Sequence, residues 1–274
     1  VNSKAIGLSS AIESAIGYWD QSSRSLNSKI LSRYYFLLQL TIAEQVSNTS
    51  NRDNLASVQK HTEQGHGLGT IRNYQKNFPD DYFTFTLMGG HFYSYMKSIG
   101  LKPKLFSFSK RPRKFEEIDD KSRIINIDDL FRSIPELNKV IEEYTNKLPL
   151  AFRIVYSSKN NELKLREAKN QISKTGKLTF DIPDSPGKKT SIISFYEDSK
   201  KFKIEYLESL NLPFYDYHIV NDTLYDSEFI SAKFDHDSKY WHQELKTYSS
   251  NYSPTCIISP LWGTISDPIV INYT

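Results

Sequence analysis

The hydrophobic period of the chain changes near residue 65, and this change constrains the fold more than any other feature of the 274 residues. Before it, apolar residues recur at spacings of three and four: Leu8, Ile12, Ala15, Ile16 and Trp19, then Leu26, Ile30, Tyr34, Leu37, Leu38, Ile42 and Val46. That spacing predicts two amphipathic helices, each burying one stripe. Ser10 and Glu13 fit a capping box at the start of the first. A short helix is expected from Asp53 to about His61, after which Gly65-His66-Gly67-Leu68-Gly69 interrupts helical order. From there Phe83, Phe85 and Leu87 alternate with Thr84 and Thr86, the period of a half-buried strand. Gly89-Gly90 turns the chain into a helix carrying Phe92, Tyr95, Met96 and Ile99, stopped by Gly100.

A helix over Asp128 to Ile134 must end before Pro135, which can itself open another with Leu137, Val140, Ile141 and Tyr144 inward. Three alternating triplets predict strands: Phe152/Ile154/Tyr156, Leu178/Phe180/Ile182 and Phe202/Ile204/Tyr206, with Pro183 to Lys189 as a turn. Residues 211 to 253, rich in Tyr, Asp and Ser, give no assignment. Asp267 caps and Pro268 opens an apolar segment. The expected fold is α+β: a mainly helical region over 1–148, a β-rich region over 149–260, and within 261–274 the start of a C-terminal helix near 267.

Aromatic residues, 18 Tyr and 16 Phe among them, must supply much of the core. The single Cys256 excludes a disulfide framework and a CxxC pair, which points to the cytoplasm. No run of 18 apolar residues occurs and Val1-Asn2-Ser3-Lys4 is not an export leader, so no membrane role is expected. A net charge of +3 carries no argument for nucleic acid by itself, so local clusters must.

The densest cationic cluster is Lys110-Arg111-Pro112-Arg113-Lys114, with Lys102 and Lys104 upstream and Phe106, Phe108 and Phe115 interleaved. Four cations in five residues can neutralise phosphates, and the proline keeps the run extended. Lys104, Lys110, Arg111, Arg113 and Lys114 are therefore candidate nucleic-acid-binding residues. Glu116, Glu117, Asp119 and Asp120 follow at once and offer internal neutralisation instead. Residues 65 to 69 could cradle an anion on backbone N–H groups, yet they lack GK[ST] and follow a helix, so a glycine-permitted turn explains them more simply. Asp235-His236-Asp237 with His242 is the best set of metal ligands, but on a strand His236 faces away from both Asp residues. No metal or cofactor is expected, and Cys256, in an apolar run, reads as a small hydrophobe.

Five segments taken together resemble the YaaC-like proteins, a bacterial group placed near the HEPN superfamily of helical RNA-related domains. They are Tyr34-Tyr35-Phe36-Leu37-Leu38, His66-Gly67-Leu68, Gly90-His91-Phe92, Asp129 to Leu137, and Asp267-Pro268. The resemblance implies an α+β body with an N-terminal HEPN-like helical bundle and helices at both ends around a strand-rich middle. Together with the basic loop it leads to the expectation of a non-catalytic module that binds RNA, DNA or a partner protein, within a bacterial defence or stress system. It also implies that the family's C-terminal helix, ending in Arg-Tyr-x-Pro, is lacking here. HEPN ribonucleases carry an Arg followed four to six residues later by a His, which polarise the 2′-hydroxyl and the scissile phosphate without metal. No Arg here has that spacing; the nearest pair is Arg52 and His61, more than two turns apart on one helix. The alternative reading is thus a metal-independent endoribonuclease using Arg52 with His61 or His66. A third is a scaffold subunit that docks another subunit or a second copy of itself.

Overall fold

The computed structural model describes residues 2–22, 25–50, 52–156, 189–195, 202–222, 227–237, 244–249, 255–262, 270 and 274. Two compact units divide the chain, one of Val1–Leu130 with Ile269–Thr274 and one of Phe131–Pro268. Each is mixed in its own way.

The first unit begins with α1 (Asn2–Asp20), α2 (Leu26–Ser47) and α3 (Leu55–Glu63). The inner face of α1 is a row of small residues four apart: Gly7, Ala11 and Ala15 are buried. A methyl on Gly7 would come within 2.8 Å of Leu55 Cβ, so backbones approach closely there. This corrects part of the expected stripes: Ala15, Leu38, Ile42 and Val46 are buried, whereas Ile12, Ile16, Trp19, Leu26 and Ile30 are 41–70 % exposed. The period locates an apolar face, but shape complementarity decides which face packs, and the small-residue row packs closer. Arg33 lies 3.6 Å above the Trp19 ring and donates to the Trp19 carbonyl at 3.0 Å. In α2 the buried residues gather toward the C-terminal half, with Leu38, Thr41, Ile42 and Val46 inside. The capping-box expectation fails because Ser10 lies in mid-helix, where its carbonyl accepts from Ser14 Oγ at 2.9 Å. On a helix, i and i+3 partners share a face anywhere, so the pattern alone does not mark a start. Asn54 does cap α3, accepting from Ser57 N at 3.0 Å.

Strands β1 (Leu68–Arg72), β2 (Tyr82–Thr86) and β3 (Ile124–Asn126) form an antiparallel sheet in the order β1-β2-β3. β1 begins inside the glycine-rich segment, and Gly69 pairs with Phe85. A Cβ on Gly69 would meet the Phe85 ring at 2.4 Å, so the ring occupies the place of the missing side chain. Ile71, Phe85, Ile118 and Ile124 form the core here. Helix α4 (Gly90–Ser98) buries Phe92, Tyr95 and Met96, as the sequence predicts.

After α5 (Ile127–Arg132) and a tight turn over Pro135–Leu137, the second unit carries α6 (Asn138–Thr145). Val140 and Tyr144 are 47 % and 81 % exposed, so the expected inward face is not the packed one. Asn138 donates to the Ala151 carbonyl at 3.0 Å, which turns the face of Asn138, Ile141, Glu142 and Thr145 inward. Strands β4 (Ala151–Tyr156), β5 (Lys189–Phe195), β6 (Tyr215–Asp222), β7 (Ser227–His236) and β8 (Cys256–Ile258) build a sheet in the order β6-β7-β5-β4-β8. Every pairing is antiparallel. Phe152, Ile154, Ile193, Phe195, Ile230 and Phe234 are central to its core.

The triplet Phe202/Ile204/Tyr206 does not form a strand, since Ile204–Ser209 is helix α7. Leu207, three residues after Ile204, is buried, and a triplet is too short to separate the two periods. β6 and β7 both fall within residues 211 to 253, for which the pattern offered no assignment. The expected strand at 178–182, residues 183–188 of the expected turn, and Asp267 with Pro268 lie outside the described residues, while Lys189, expected to end that turn, opens β5. Among the described residues no helix is long and apolar enough to cross a membrane.

Candidate functional site

The alternation of β1 leaves Thr70 and Arg72 exposed while Gly69 and Ile71 turn inward. The connection from Arg72 to Tyr82 is ordered by its own bonds. Asn73 N donates to the Asp81 carbonyl at 2.7 Å, Asp81 N donates to the Asn77 carbonyl at 3.1 Å, and Asn126 Nδ2 donates to the Asp80 carbonyl at 2.9 Å. Tyr74 and Phe78 ride on this connection 83 % and 64 % exposed. The Asp81 side chain is fully buried and accepts from Arg72 Nε. That bond raises the guanidinium's affinity for its proton further still. The guanidinium carbon sits 5.3 Å from the ring centres of both Tyr74 and Tyr82. A charge is thus fixed beside two aromatic faces.

The basic run is held at both ends. Phe108 N donates to the Thr86 carbonyl and Met88 N to the Phe108 carbonyl, each at 2.8 Å, so the segment joins the end of β2 before the run begins. After it, the Phe115 ring packs on Phe83 at 4.9 Å and Ile118 enters the core. The following acidic residues do not neutralise the run by ion pairing. Glu117 Oε2 instead accepts from Arg113 N at 2.9 Å, which holds its carboxyl below the usual range, aided by the Lys114 and Arg113 charges. Asp120 caps Ser122, accepting from its N at 3.0 Å and its Oγ at 2.6 Å. Ion pairs among the described residues include Arg72 with Asp81 and Lys233 with Asp216. Lys104, Lys110, Arg111, Arg113 and Lys114 are all exposed.

Between this loop and the sheet lies a cleft of about 440 Å³, with Thr70, Arg72, Tyr74 and Tyr82 on one wall and Arg113, Lys114, Phe115 and Glu116 on the other. Lys104, Lys110 and Arg111 do not line it. The cleft sets Arg113 and Lys114, with Glu116 on the same wall, opposite flat rings and the Asp81-paired Arg72, a setting suited to an anionic ligand that also carries an aromatic group. Sequence reasoning missed Arg72, Tyr74 and Tyr82. The available signal was Arg72 and Tyr74 closing one run with Tyr82 opening the next, and only the hairpin pairing makes them neighbours.

The histidines are distributed differently. His61 lines a second cleft of about 370 Å³ with Asp53, Gln64, Tyr93, Ser94 and Lys97, whose walls include neither Arg52 nor His66. Arg52 is exposed ahead of α3, and His66 Nδ1 bonds the Tyr34 hydroxyl at 2.7 Å. His91 is buried, with Nε2 2.8 Å from Thr41 Oγ1. Burial pushes its pKa down to about 4, and the charges of His66 and His61 add to the effect.

The glycine-rich segment serves α4. The Gly65 and His66 carbonyls accept from His91 N and Phe92 N, both at 3.0 Å, so those first-turn donors are already used. Gly67 at φ +80° would put a Cβ 2.6 Å from the Gly89 carbonyl oxygen, which accounts for the glycine there as packing and not as an anion cradle. Asp235 accepts from Thr190 Oγ1 and from the Tyr215 hydroxyl, both at 2.7 Å, while His236 is buried with Nε2 3.0 Å from Ser191 Oγ. His242 lies outside the described residues, among which no three metal-ligating groups converge. Cys256 is buried. In comparison with known proteins, no family model, curated protein or solved structure matches the chain.

Proposed function

We propose that this protein is a non-catalytic nucleic-acid-binding module, with the basic loop and the adjoining cleft as its contact surface. The observation that carries the reading is the cleft itself, where Arg113 and Lys114 from the loop face Arg72 and two tyrosines from the sheet. Cations that form no ion pair with the neighbouring carboxylates remain available to phosphates. The resemblance to YaaC-like proteins supports the same reading and suggests a bacterial defence or stress setting.

The test is fluorescence anisotropy with labelled RNA and DNA at stepped salt concentrations. Affinity is expected to fall steeply, with a log–log slope of about −2 to −4 for three to five neutralised phosphates. Reversing Lys110, Arg111, Arg113 and Lys114 to Glu should abolish the binding. Unchanged binding in that variant, or none in the wild type, overturns the reading.

A metal-independent endoribonuclease is the second reading, favoured by the placement of His61 with Lys97 in one cleft. It requires RNA cleavage in EDTA that is lost in His61→Ala and kept in His66→Ala, since His66 lies outside that cleft.

A further inference from the structure

We infer that the cleft between β1–β2 and the basic loop takes unpaired nucleobases, so that the ligand is single-stranded nucleic acid, with a base stacked on Tyr74 and its phosphates on Arg113 and Lys114. This rests on the nucleic-acid reading above and specifies it. Phosphate contacts alone do not distinguish a single strand from a duplex, because both present the same anion. The rings do. Tyr74 stands 83 % exposed at the cleft wall, and Phe78, 64 % exposed, meets the Tyr82 ring edge-on at 6.2 Å. A duplex keeps its base faces stacked internally, whereas an unpaired base can lay its face on such a ring.

The second element is the fixed guanidinium. Arg72 is tied to a buried carboxylate and lies 5.3 Å from both tyrosine rings, so it is already placed to stack beside an incoming base. Bonding through Nε uses one of its five N–H donors. A volume of about 440 Å³ falls in the range of small-ligand sites, enough for a flat base with its sugar but not for a double helix. An acidic peptide would satisfy the cations and leave the rings without a partner. Stacking is common to RNA and DNA, so strands of both kinds belong to the test.

The experiment uses the full chain and labelled strands of about twelve nucleotides, as RNA and as DNA, each alone and annealed to its complement. An acidic peptide of matched charge is run beside them. The single strand of at least one kind is expected to bind about tenfold more tightly than its duplex. Tyr74→Ala should weaken single-strand binding about tenfold and leave duplex binding unchanged, while Tyr74→Phe keeps the wild-type affinity. Circular dichroism confirms that these exposed-site variants fold. Equal affinity for single strand and duplex, or a Tyr74→Ala variant that binds like wild type while charge reversal still abolishes binding, overturns the stacking inference and leaves nucleic-acid binding standing. No salt-sensitive binding to any strand, or capture of the acidic peptide alone, overturns both.

Discussion

The two sheets use aromatic residues in opposite ways. In the core of the five-stranded sheet Phe152, Phe195, Phe202, Phe214 and Phe234 are 1–7 % exposed and meet edge to face, as in Phe152 with Phe195 at 6.2 Å and 80° and Phe195 with Phe214 at 5.5 Å and 88°. Around the three-stranded sheet Phe85 is enclosed, Phe83 and Phe115 are half-buried, and on the β1–β2 connection Tyr74, beside Arg72, and Phe78 stand in water. Ring content alone therefore says nothing about role. What separates core from surface is the neighbour: other rings in one sheet, Arg72 and the basic loop in the other.

The largest expected effect tests that contrast directly. Phe152→Ala should cost about 3–5 kcal/mol in urea unfolding, and Tyr74→Ala less than about 0.5 kcal/mol. Similar losses would break the comparison. A second effect belongs to the first unit alone. Unfolded, His91 titrates near 6.5, and folded near 4, so the unfolded chain binds the extra proton between those values. Stability contributed by keeping His91 neutral is complete above pH 6.5 and declines by about 3 kcal/mol as the pH falls to 4, with no further loss from this group below. Urea unfolding of wild type and His91→Gln across that window checks it, because the variant should show a flatter dependence.

Gly67→Ala should cost about 1–3 kcal/mol by thermal unfolding, since it adds both an unfavourable φ and a contact on Gly89. The smallest effect sharpens the map of the basic surface. Lys104→Glu, outside the cleft, should change nucleic-acid affinity less than about twofold, whereas Arg113→Glu should reduce the salt slope by about one.

The N-terminal helices, β2 and α4 were legible because each carries a sustained period, whereas β4 was read from a triplet no longer than the one that failed at Phe202 to Tyr206. The packing of the helices was not legible, because the seam that Gly7 and Ala11 form with Ala15 runs through two small residues that the apolar pattern omits. Phe202 to Tyr206 shows the limit from the other side, where three alternating residues fit a strand, yet Ile204 and Tyr206 lie in a helix. The basic loop was visible as charge. Whether Glu117 would pair with side chains or cap the backbone was not, since both uses look identical in one dimension. Arg72 and Tyr74 escaped notice because their partners come from a different segment, Tyr82 across the hairpin and Lys114 from beyond α4.

The anchoring of the basic run at Phe108 and Glu117 bears on how ligands would be told apart. A loop tied at both ends presents the same array of charges to every arriving anion, so long-range attraction captures them at similar rates. Discrimination then rests on residence time, with the ligands that also find the tyrosines departing most slowly.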